Sequence, residues 1–369
     1  MNNPGEISER LLDWFAATRR DLPWRRTYDP YQVWISEVML QQTQMDRVVP
    51  FFLRWLARFP DVAAVAESEL AELIGYWEGL GYYSRVRTLH QSARQIVNRH
   101  DGRLPDRYEE LLALPGIGPY TAGAIMSIAF NRDYPAVDGN VKRVLARLDD
   151  LTAPSGSKEL EAQCQQRAGE LLPSGRARDF NQALMELGAL VCLPRQPGCA
   201  TCPLAQLCLA YHRGCMHMRP VKGKRVEIIP LFRVAAVVFL GDRLLIRCRP
   251  LEGRWGGLWE FPDFPVRPEA NGAQEAERLV QQETGCTIRV VEDLGEIVSG
   301  FTNHKLTTRA YLCRTDAPAL RTGESTPGEW QWLPSAEAFA LAYSSAHRQI
   351  MELLRKSSGT KHEGEFHPT

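Results

Sequence analysis

Leu114-Pro115-Gly116-Ile117-Gly118 is the stretch on which the reading of this chain turns. It lies between two runs with apolar residues at helical spacing, Asp106 to Ala113 and Tyr120 to Phe130. Proline and glycine at these positions stop the first run, so the pentapeptide is predicted to be a short connection between two helices. A glycine-rich turn entering a helix bares backbone N–H groups, and the helix N-terminus adds positive potential, so a phosphate suits it. Many glycine-containing connections are only turns. This one gains weight from the residues around it.

Outward from the turn, the chain from Glu6 to about Tyr211 reads as helices. Ile7, Leu11, Leu12 and Phe15 recur at helical spacing, as do Val33, Trp34, Val38 and Met39, and Leu70, Leu73, Ile74 and Trp77. The character changes after Gly214. Residues 216–231 are basic, contain two prolines and show no period, so they read as a connector. Beyond them, Val234 to Leu240 and Leu244 to Cys248 flank Gly241-Asp242, a hairpin signal. Strand-like runs lie near Ile288–Val291 and Thr308–Leu312, and helical stretches follow Gly272 and Ser335. The expected organisation is a helical domain over 1–215, the connector, a small mixed α/β domain over 232–356, and a disordered tail from 357 to 369.

The 369 residues exceed one ordinary core, and 44% hydrophobic with 24% charged residues is a globular composition. Basic and acidic residues balance at 44 each, so a nucleic-acid surface would have to come from local clusters. Arg219, Lys222, Lys224 and Arg225 form one, and Lys142, Arg143 and Arg147 another, although basic runs are usually just solvated faces. No apolar run has membrane-spanning length and the N-terminus lacks a signal-peptide core, so a cytoplasmic location with reduced cysteines is expected.

Four of the nine cysteines fall together as Cys192-x6-Cys199-x2-Cys202-x5-Cys208. Thiolates so close in a reducing compartment normally share a metal, because a cation offsets their repulsion. Spacing alone allows a tetrahedral zinc or an iron–sulfur cluster. Cys164, Cys215, Cys248, Cys286 and Cys313 have no such company and read as packing residues.

Two carboxylates stand out. Glu37 falls within the helical run Tyr31–Met45, with Val33, Trp34, Leu40 and Gln41 on its face. A carboxylate on that stripe would be desolvated, raising its pKa and suiting a general acid, unless it sits at the stripe's edge and reaches water. Asp138 precedes the helical run Val141–Leu148. It reads as an ordinary N-cap, or as a carboxylate kept ionised by the helix N-terminus and able to stabilise a sugar cation. One raised and one lowered carboxylate is the division of labour that glycosidic cleavage needs.

Taken together, these residues resemble the MutY-type adenine DNA glycosylases of the helix-hairpin-helix superfamily, which includes endonuclease III. The resemblance covers nearly the whole chain. It is carried by Leu22-Pro-Trp24-Arg25, Ser36-Glu-Val-Met-Leu-Gln-Gln-Thr43, Gly79-Leu-Gly-Tyr-Tyr-Ser-Arg85, Leu114-Pro-Gly-Ile-Gly-Pro-Tyr-Thr121, Val137-Asp-Gly-Asn-Val141 and the cysteine spacing. It implies a multidomain protein, an all-α helix-hairpin-helix glycosylase domain followed by an α/β Nudix-like domain. It also implies a 4Fe-4S cluster on Cys192, Cys199, Cys202 and Cys208, with a structural or DNA-engaging role.

The implied substrate is adenine mispaired with 8-oxoguanine or guanine in double-stranded DNA, handled by a monomer. Glu37 and Asp138 would be the catalytic pair, oriented by Tyr120 and Asn140. Trp24, Arg25 and Gln182 fall at the family's adenine pocket. Gln42 and Tyr82 fall where it wedges the base stack, and Gly116 and Gly118 where it holds the DNA backbone. Lyase-competent relatives carry a lysine where this chain has Tyr120, which cannot form a Schiff base, so hydrolysis without strand cleavage is expected. In the C-terminal domain a Nudix hydrolase would want acidic residues at Leu279 and Gln282, and only Glu283 remains, so pyrophosphate hydrolysis is not expected. The family reads 8-oxoguanine there with a Phe-Ser/Thr-His loop. This chain has Phe301-Thr302-Asn303-His304, which leaves Asn303 and His304 as alternatives for the contact.

Overall fold

The structure, a computed structural model, describes residues 3–223, 227–253, 255–317 and 328–361. Lys224 and Arg225 of the basic connector, and 362–369 of the tail, lie outside the described residues. The chain forms two compact units: Met1–Ser68 with Thr88–Arg225, and Glu69–Arg87 with Val226–Thr369. Among the described residues no helix is long and apolar enough to cross a membrane.

The first unit is helical. Helices Pro4–Thr18, Gly139–Leu148, Lys158–Leu171 and Ala177–Leu190 bury Leu11, Phe15, Val141, Leu145, Leu160, Phe180 and Leu184 in one core. Short polar side chains start several helices of this unit: Asp29 caps Pro30–Leu40, accepting from Gln32 N at 3.0 Å, Ser157 accepts from Leu160 N at 3.2 Å and Asp138 from Val141 N at 2.7 Å. Helices Gly139–Leu148 and Ala177–Leu190 approach closely at Gly188. A Cβ there would lie 2.7 Å from the Asn140 Cβ.

The predicted connection is present, with a helix Tyr108–Leu112 before it and Pro119–Ala124 after it. Leu114 and Ile117 are buried, and Gly116 turns the chain at φ 76°. Only glycine fits there, since a Cβ would come within 2.4 Å of Thr88 Oγ1. The second helix does not run unchanged to Phe130. It widens into a π turn over Ile125–Ala129, whose last carbonyls, Ile128 O and Ala129 O, each accept from the Arg178 guanidinium at 2.7 Å.

The run Tyr31–Met45 also differs from expectation. The helix ends at Leu40, Gln42 adopts a left-handed φ of 58°, and a new helix begins at Met45. No glycine or proline marks this break; beside it Gln41 Nε2 donates across the unit to Thr121 Oγ1 at 3.3 Å.

Among the described residues the second unit has seven strands: β1 (Ile229–Leu240), β2 (Arg243–Cys248), β3 (Trp259–Glu260), β4 (Asp263–Pro265), β5 (Arg289–Phe301), β6 (His304–Arg314) and β7 (Gln331–Pro334). The order is β3-β2-β1-β6-β5, with β4 on β1 and β7 on β2. Gly241-Asp242 makes the predicted hairpin, and β1 runs parallel to β6. Alternation along β1 divides its residues between two cores. Ala235 and Val237 meet Ile350, Met351 and Leu354 of the final helix, and Val234, Ala236 and Val238 meet Ala276 and Val280 of the helix Gly272–Thr284.

Three boundaries depart from the sequence reading. β1 starts inside the stretch read as connector. The two short strand signals are one long hairpin, β5–β6, turning at Thr302-Asn303. The final helix Ser345–Lys361 continues past Ser357, where Ser357 Oγ donates to Glu292 Oε1 at 2.7 Å, because a helix already anchored by Ile350 and Leu354 propagates cheaply.

Candidate active site

A cavity of about 1110 Å³ opens in the helical unit, lined by Trp24, Arg25, Glu37, Gln42, Tyr120, Asp138, Asn140 and Gln182 among others. Eight of the residues singled out in the sequence thus share one space. Gly116 and Gly118 stay in the connecting turn, and Tyr82 and Phe301–His304 belong to the second unit.

Glu37 is only 5% exposed. The Tyr120 hydroxyl donates to its Oε2 at 2.6 Å. Burial pushes its carboxyl up to about 7; the Tyr120 bond opposes the rise, the Asp138 charge adds to it and the Arg25 charge opposes it. An edge glutamate reaching water is therefore the wrong reading.

Asp138 is both the N-cap and a wall of the cavity. Its Oδ1 accepts from Val141 N at 2.7 Å and its Oδ2 from Asn140 Nδ2 at 3.1 Å. The expectation that the helix N-terminus would lower its pKa needs correcting. Burial outweighs the Val141 and Asn140 bonds and the Arg143 charge, and the carboxyl lies above its ordinary 3.8. Asn140 Oδ1 in turn accepts from Arg143 Nη2 at 2.8 Å.

Trp24, also lining the cavity, is buried edge-to-face on Phe52 with ring centres 5.1 Å apart. Arg25 Nε donates to Gln182 Oε1 at 2.9 Å, and Gln182 Nε2 to Arg178 O at 3.1 Å, which sets the amide's orientation. Sequence reasoning missed the group that holds Arg25. Glu186, 1% exposed, accepts from Arg25 Nη2 at 2.9 Å and from Arg20 Nε and Nη2 at 2.8 and 2.9 Å. Burial alone would raise its carboxyl, but the two guanidinium groups hold it at about 2. No local signal marks that partnership, since Glu186 lies far along the chain from both arginines.

The four clustered cysteines line a second cavity with Val144, Leu148, Leu187 and Tyr211. Burial pushes the Cys202 thiol up to about 11, and Cys192, Cys208 and Cys199 add to the rise. Among the described residues no three His, Cys, Asp or Glu side chains converge closely enough to grip one ion. Arg147 Nη1 lies 3.2 Å from Cys192 Sγ, and its guanidinium donates to Leu193 O and Pro194 O at 2.7 and 3.1 Å. Arg143 donates to Cys192 O and Gly188 O, and Lys142 pairs with Glu161. Of the second basic cluster Arg147 is thus spent inside the protein, whereas Lys142 and Arg143 also line the large cavity.

In the second unit, the Phe301 ring stacks on His304 at 4.9 Å and meets Trp255 edge-on at 5.2 Å. Thr302 takes a left-handed φ of 50° at the exposed turn. Asn303 Nδ2 donates to Glu227 O at 3.1 Å, whereas His304 Nδ1 has no hydrogen-bond partner among the described residues. Glu283, the one Nudix acid that remains, pairs with Arg247, and Glu260 of β3 pairs with Arg247 and Arg249.

Residues 35–170 match the model of the HhH-GPD superfamily base excision DNA repair proteins, and 234–353 match a NUDIX domain. The mouse adenine DNA glycosylase is 34% identical over 93% of this chain and 76% of its own length. The chain belongs to the adenine DNA glycosylases. The human enzyme of that name is 33% identical over 93% of this chain and 73% of its own length, and that of Buchnera aphidicola subsp. Baizongia pistaciae is 35% identical over 69% and 73%. Among solved structures, a thermostable thymine-DNA glycosylase aligns with a TM-score of 0.50 and 30% identity, covering 56% of this chain and 95% of its own. An endonuclease III bound to DNA shares the fold at a TM-score of 0.50 and 23% identity, over 58% of this chain and 99% of its own. As an adenine DNA glycosylase, the protein is an enzyme of base excision repair that acts on adenine.

Proposed function

We propose that the enzyme hydrolyses the N-glycosidic bond of adenine mispaired with 8-oxoguanine or guanine in double-stranded DNA, with Glu37 as general acid and Asp138 as the anion facing the sugar. The observation that carries this is a single cavity in which one buried carboxyl, Glu37, titrates near neutrality beside a second, Asp138, that has more donors aimed at it. Two interacting carboxyls, one buried and one half-buried, do not both ionise readily. The proton therefore rests on Glu37, and the charge on Asp138 with its Val141 N–H, Asn140 and Arg143.

The adenine cannot be reached within a duplex, so the nucleotide is turned out into the cavity. Trp24 offers it a flat wall, and Arg25 and Gln182, held by Glu186 and Arg178, offer it fixed polar edges. Glu37 gives its proton to N7, which withdraws electrons from the C1′–N9 bond until that bond breaks and adenine leaves. Asp138 stabilises the oxocarbenium ion, electrostatically or by adding to C1′. A water then attacks C1′ and loses its proton to the Glu37 carboxylate, leaving an abasic site. Tyr120 holds Glu37 in place and has no amine with which to open the sugar.

Gln42 and Tyr82 are assigned to the disturbed base stack, and Gly116 and Gly118 to the phosphate backbone. Phe301, Thr302 and His304 are assigned to 8-oxoguanine. Asn303 is the weaker candidate, because its amide is committed to Glu227 O. Cys192, Cys199, Cys202 and Cys208 fit a 4Fe-4S cluster. Each iron takes one thiolate, which suits four thiols spread around a shared cavity better than a single zinc does. Such a cluster, held by these four cysteines, would tie the loop 192–208 together and would supply no chemistry to bond cleavage.

The test is single-turnover release of adenine from duplexes bearing adenine opposite 8-oxoguanine, guanine, cytosine or thymine. The wild type should act on the first two, and Glu37→Gln should lose about 100-fold or more, as expected for a general acid. Near wild-type turnover by Glu37→Gln would remove Glu37 from the chemistry.

A further inference from the structure

The helix Leu70–Trp77 and the turn after it belong to the same compact unit as the Nudix-like sheet. That turn is unusual. Gly79, Gly81 and Tyr82 have φ values of 101°, 75° and 49°, and a tyrosine takes that conformation only when its surroundings impose it. Arg85 is the imposing group. Its Nη2 donates to Leu80 O and Gly81 O at 3.2 and 2.9 Å, and its guanidinium lies 5.6 Å from the Tyr82 ring centre. Trp77 Nε1 also donates to Gly81 O, at 3.2 Å. Tyr82 is left 54% exposed on a rigid turn.

Glu78, at the start of this turn, is bonded to the far end of the chain. Its Oε1 accepts from Tyr343 N at 3.2 Å and from Arg348 Nε, and its Oε2 accepts from Arg348 Nη2 at 2.8 Å. Arg348 is fixed on its own side. It donates to Phe339 O at 3.1 Å and to Leu341 O, and lies 5.3 Å from the Tyr343 ring centre. It belongs to the helix Ser345–Lys361, which packs on β5, the strand that ends at Phe301. Neighbouring bonds run the same way: the Tyr83 hydroxyl to Tyr343 O at 3.5 Å and Arg87 Nη1 to Gly256 O at 2.9 Å. Neither Glu78 nor Arg348 lines the adenine cavity.

We propose that the bidentate Glu78–Arg348 pair is a tether that makes the Tyr82 turn and the Phe301–His304 hairpin one body, so that both residues position the enzyme for discriminating the base opposite adenine. The inference rests on the reading of Tyr82 as a wedge and Phe301–His304 as the partner-base contact. A bidentate arginine–carboxylate pair has a fixed geometry, unlike a single point contact. With it intact, engagement of the partner base and insertion of the wedge are one event. With it broken, the wedge inserts whatever lies opposite.

The experiment uses the full-length enzyme and single-turnover excision of adenine opposite 8-oxoguanine and opposite guanine. Glu78→Ala and Arg348→Met should each lower the ratio of the two rates by about 5- to 10-fold, the low end of couplings between sites. The rate opposite 8-oxoguanine should stay within about twofold of wild type. The charge exchange Glu78→Arg with Arg348→Glu should recover part of the ratio. In a Tyr82→Ala background, Arg348→Met should change the ratio no further.

An unchanged ratio in the single variants overturns the tether, as does an Arg348→Met effect equally large without Tyr82. If Tyr82→Ala and Phe301→Ala themselves leave the ratio at wild type, the wedge and reader assignments fall instead, and the tether with them. Glu78→Ala leaves the Arg348 bonds to Phe339 and Leu341 in place, so it carries the test should Arg348→Met not fold.

Discussion

Glu37→Gln should make the protein more stable as well as inactive, and the size of the gain follows from the structure. The Glu37 carboxyl stands at about 7 in the fold against an ordinary 4.5, mainly because burial penalises its charge. Below pH 4.5 the group is neutral folded or unfolded and contributes nothing. As pH rises from 4.5 towards 7 the unfolded chain releases this proton and the folded chain keeps it. The folded state therefore binds more protons, and stability falls with rising pH through that window. A rise of this size corresponds to about 3 kcal/mol, lost in full above pH 7.

Glutamine has the same shape, can accept the Tyr120 hydroxyl bond of 2.6 Å, and carries no charge to desolvate. The variant should therefore gain about 3 kcal/mol over wild type at pH 8 and nothing at pH 4.5. For a unit of this size that is a rise in Tm on the order of 5–10 °C. Thermal unfolding followed by circular dichroism at the two pH values measures it. A Glu37→Gln protein no more stable than wild type at pH 8, or equally shifted at both pH values, would refute the claim that Glu37 is a desolvated carboxyl.

The remaining expectations concern the same cavity and the cysteine loop. The excision rate should fall as pH rises through about 7, where Glu37 loses its proton, and Tyr120→Phe should move that fall to higher pH by roughly one unit, since a bond favouring the ionised form is lost; a pH–rate profile reads both. Asp138→Asn can still accept the Val141 N–H, so unfolding by urea should shift by less than about 1 kcal/mol. Its single-turnover rate should nevertheless drop by about 100- to 1000-fold through loss of the anion; a drop in stability without a drop in rate would return Asp138 to a plain cap. The purified wild type should show the broad absorbance near ~400 nm expected of an iron–sulfur centre, and Cys202→Ala should lose it; zinc recovered in its place by metal analysis would reverse the assignment.

Much of this protein is local information, and local information is legible in a sequence. The turn at Leu114–Gly118 was readable because proline and glycine stop a helix wherever it packs. Asp138 was readable as an N-cap because its partner, Val141, is three residues away. The cysteine spacing, the Gly241-Asp242 hairpin and the replacement of the lysine position by Tyr120 are of the same kind. What long-range packing decides was not legible. The Gln42 break has no local breaker and lies where Gln41 reaches Thr121, 80 residues on. The clamp on Arg25 is a glutamate from a different helix. The sheet's central pairing joins β1 to β6 across most of a domain.

The two carboxylates show the division most clearly. Alternation and spacing could place Glu37 on an apolar face and Asp138 at a helix start. Only the packed structure sets their pKa values, because desolvation depends on what covers a group from every side. Glu37 rose as expected. Asp138 rose too, against expectation, because a helix N-terminus contributes a fixed and local stabilisation, while the burial penalty grows with everything the fold brings around it.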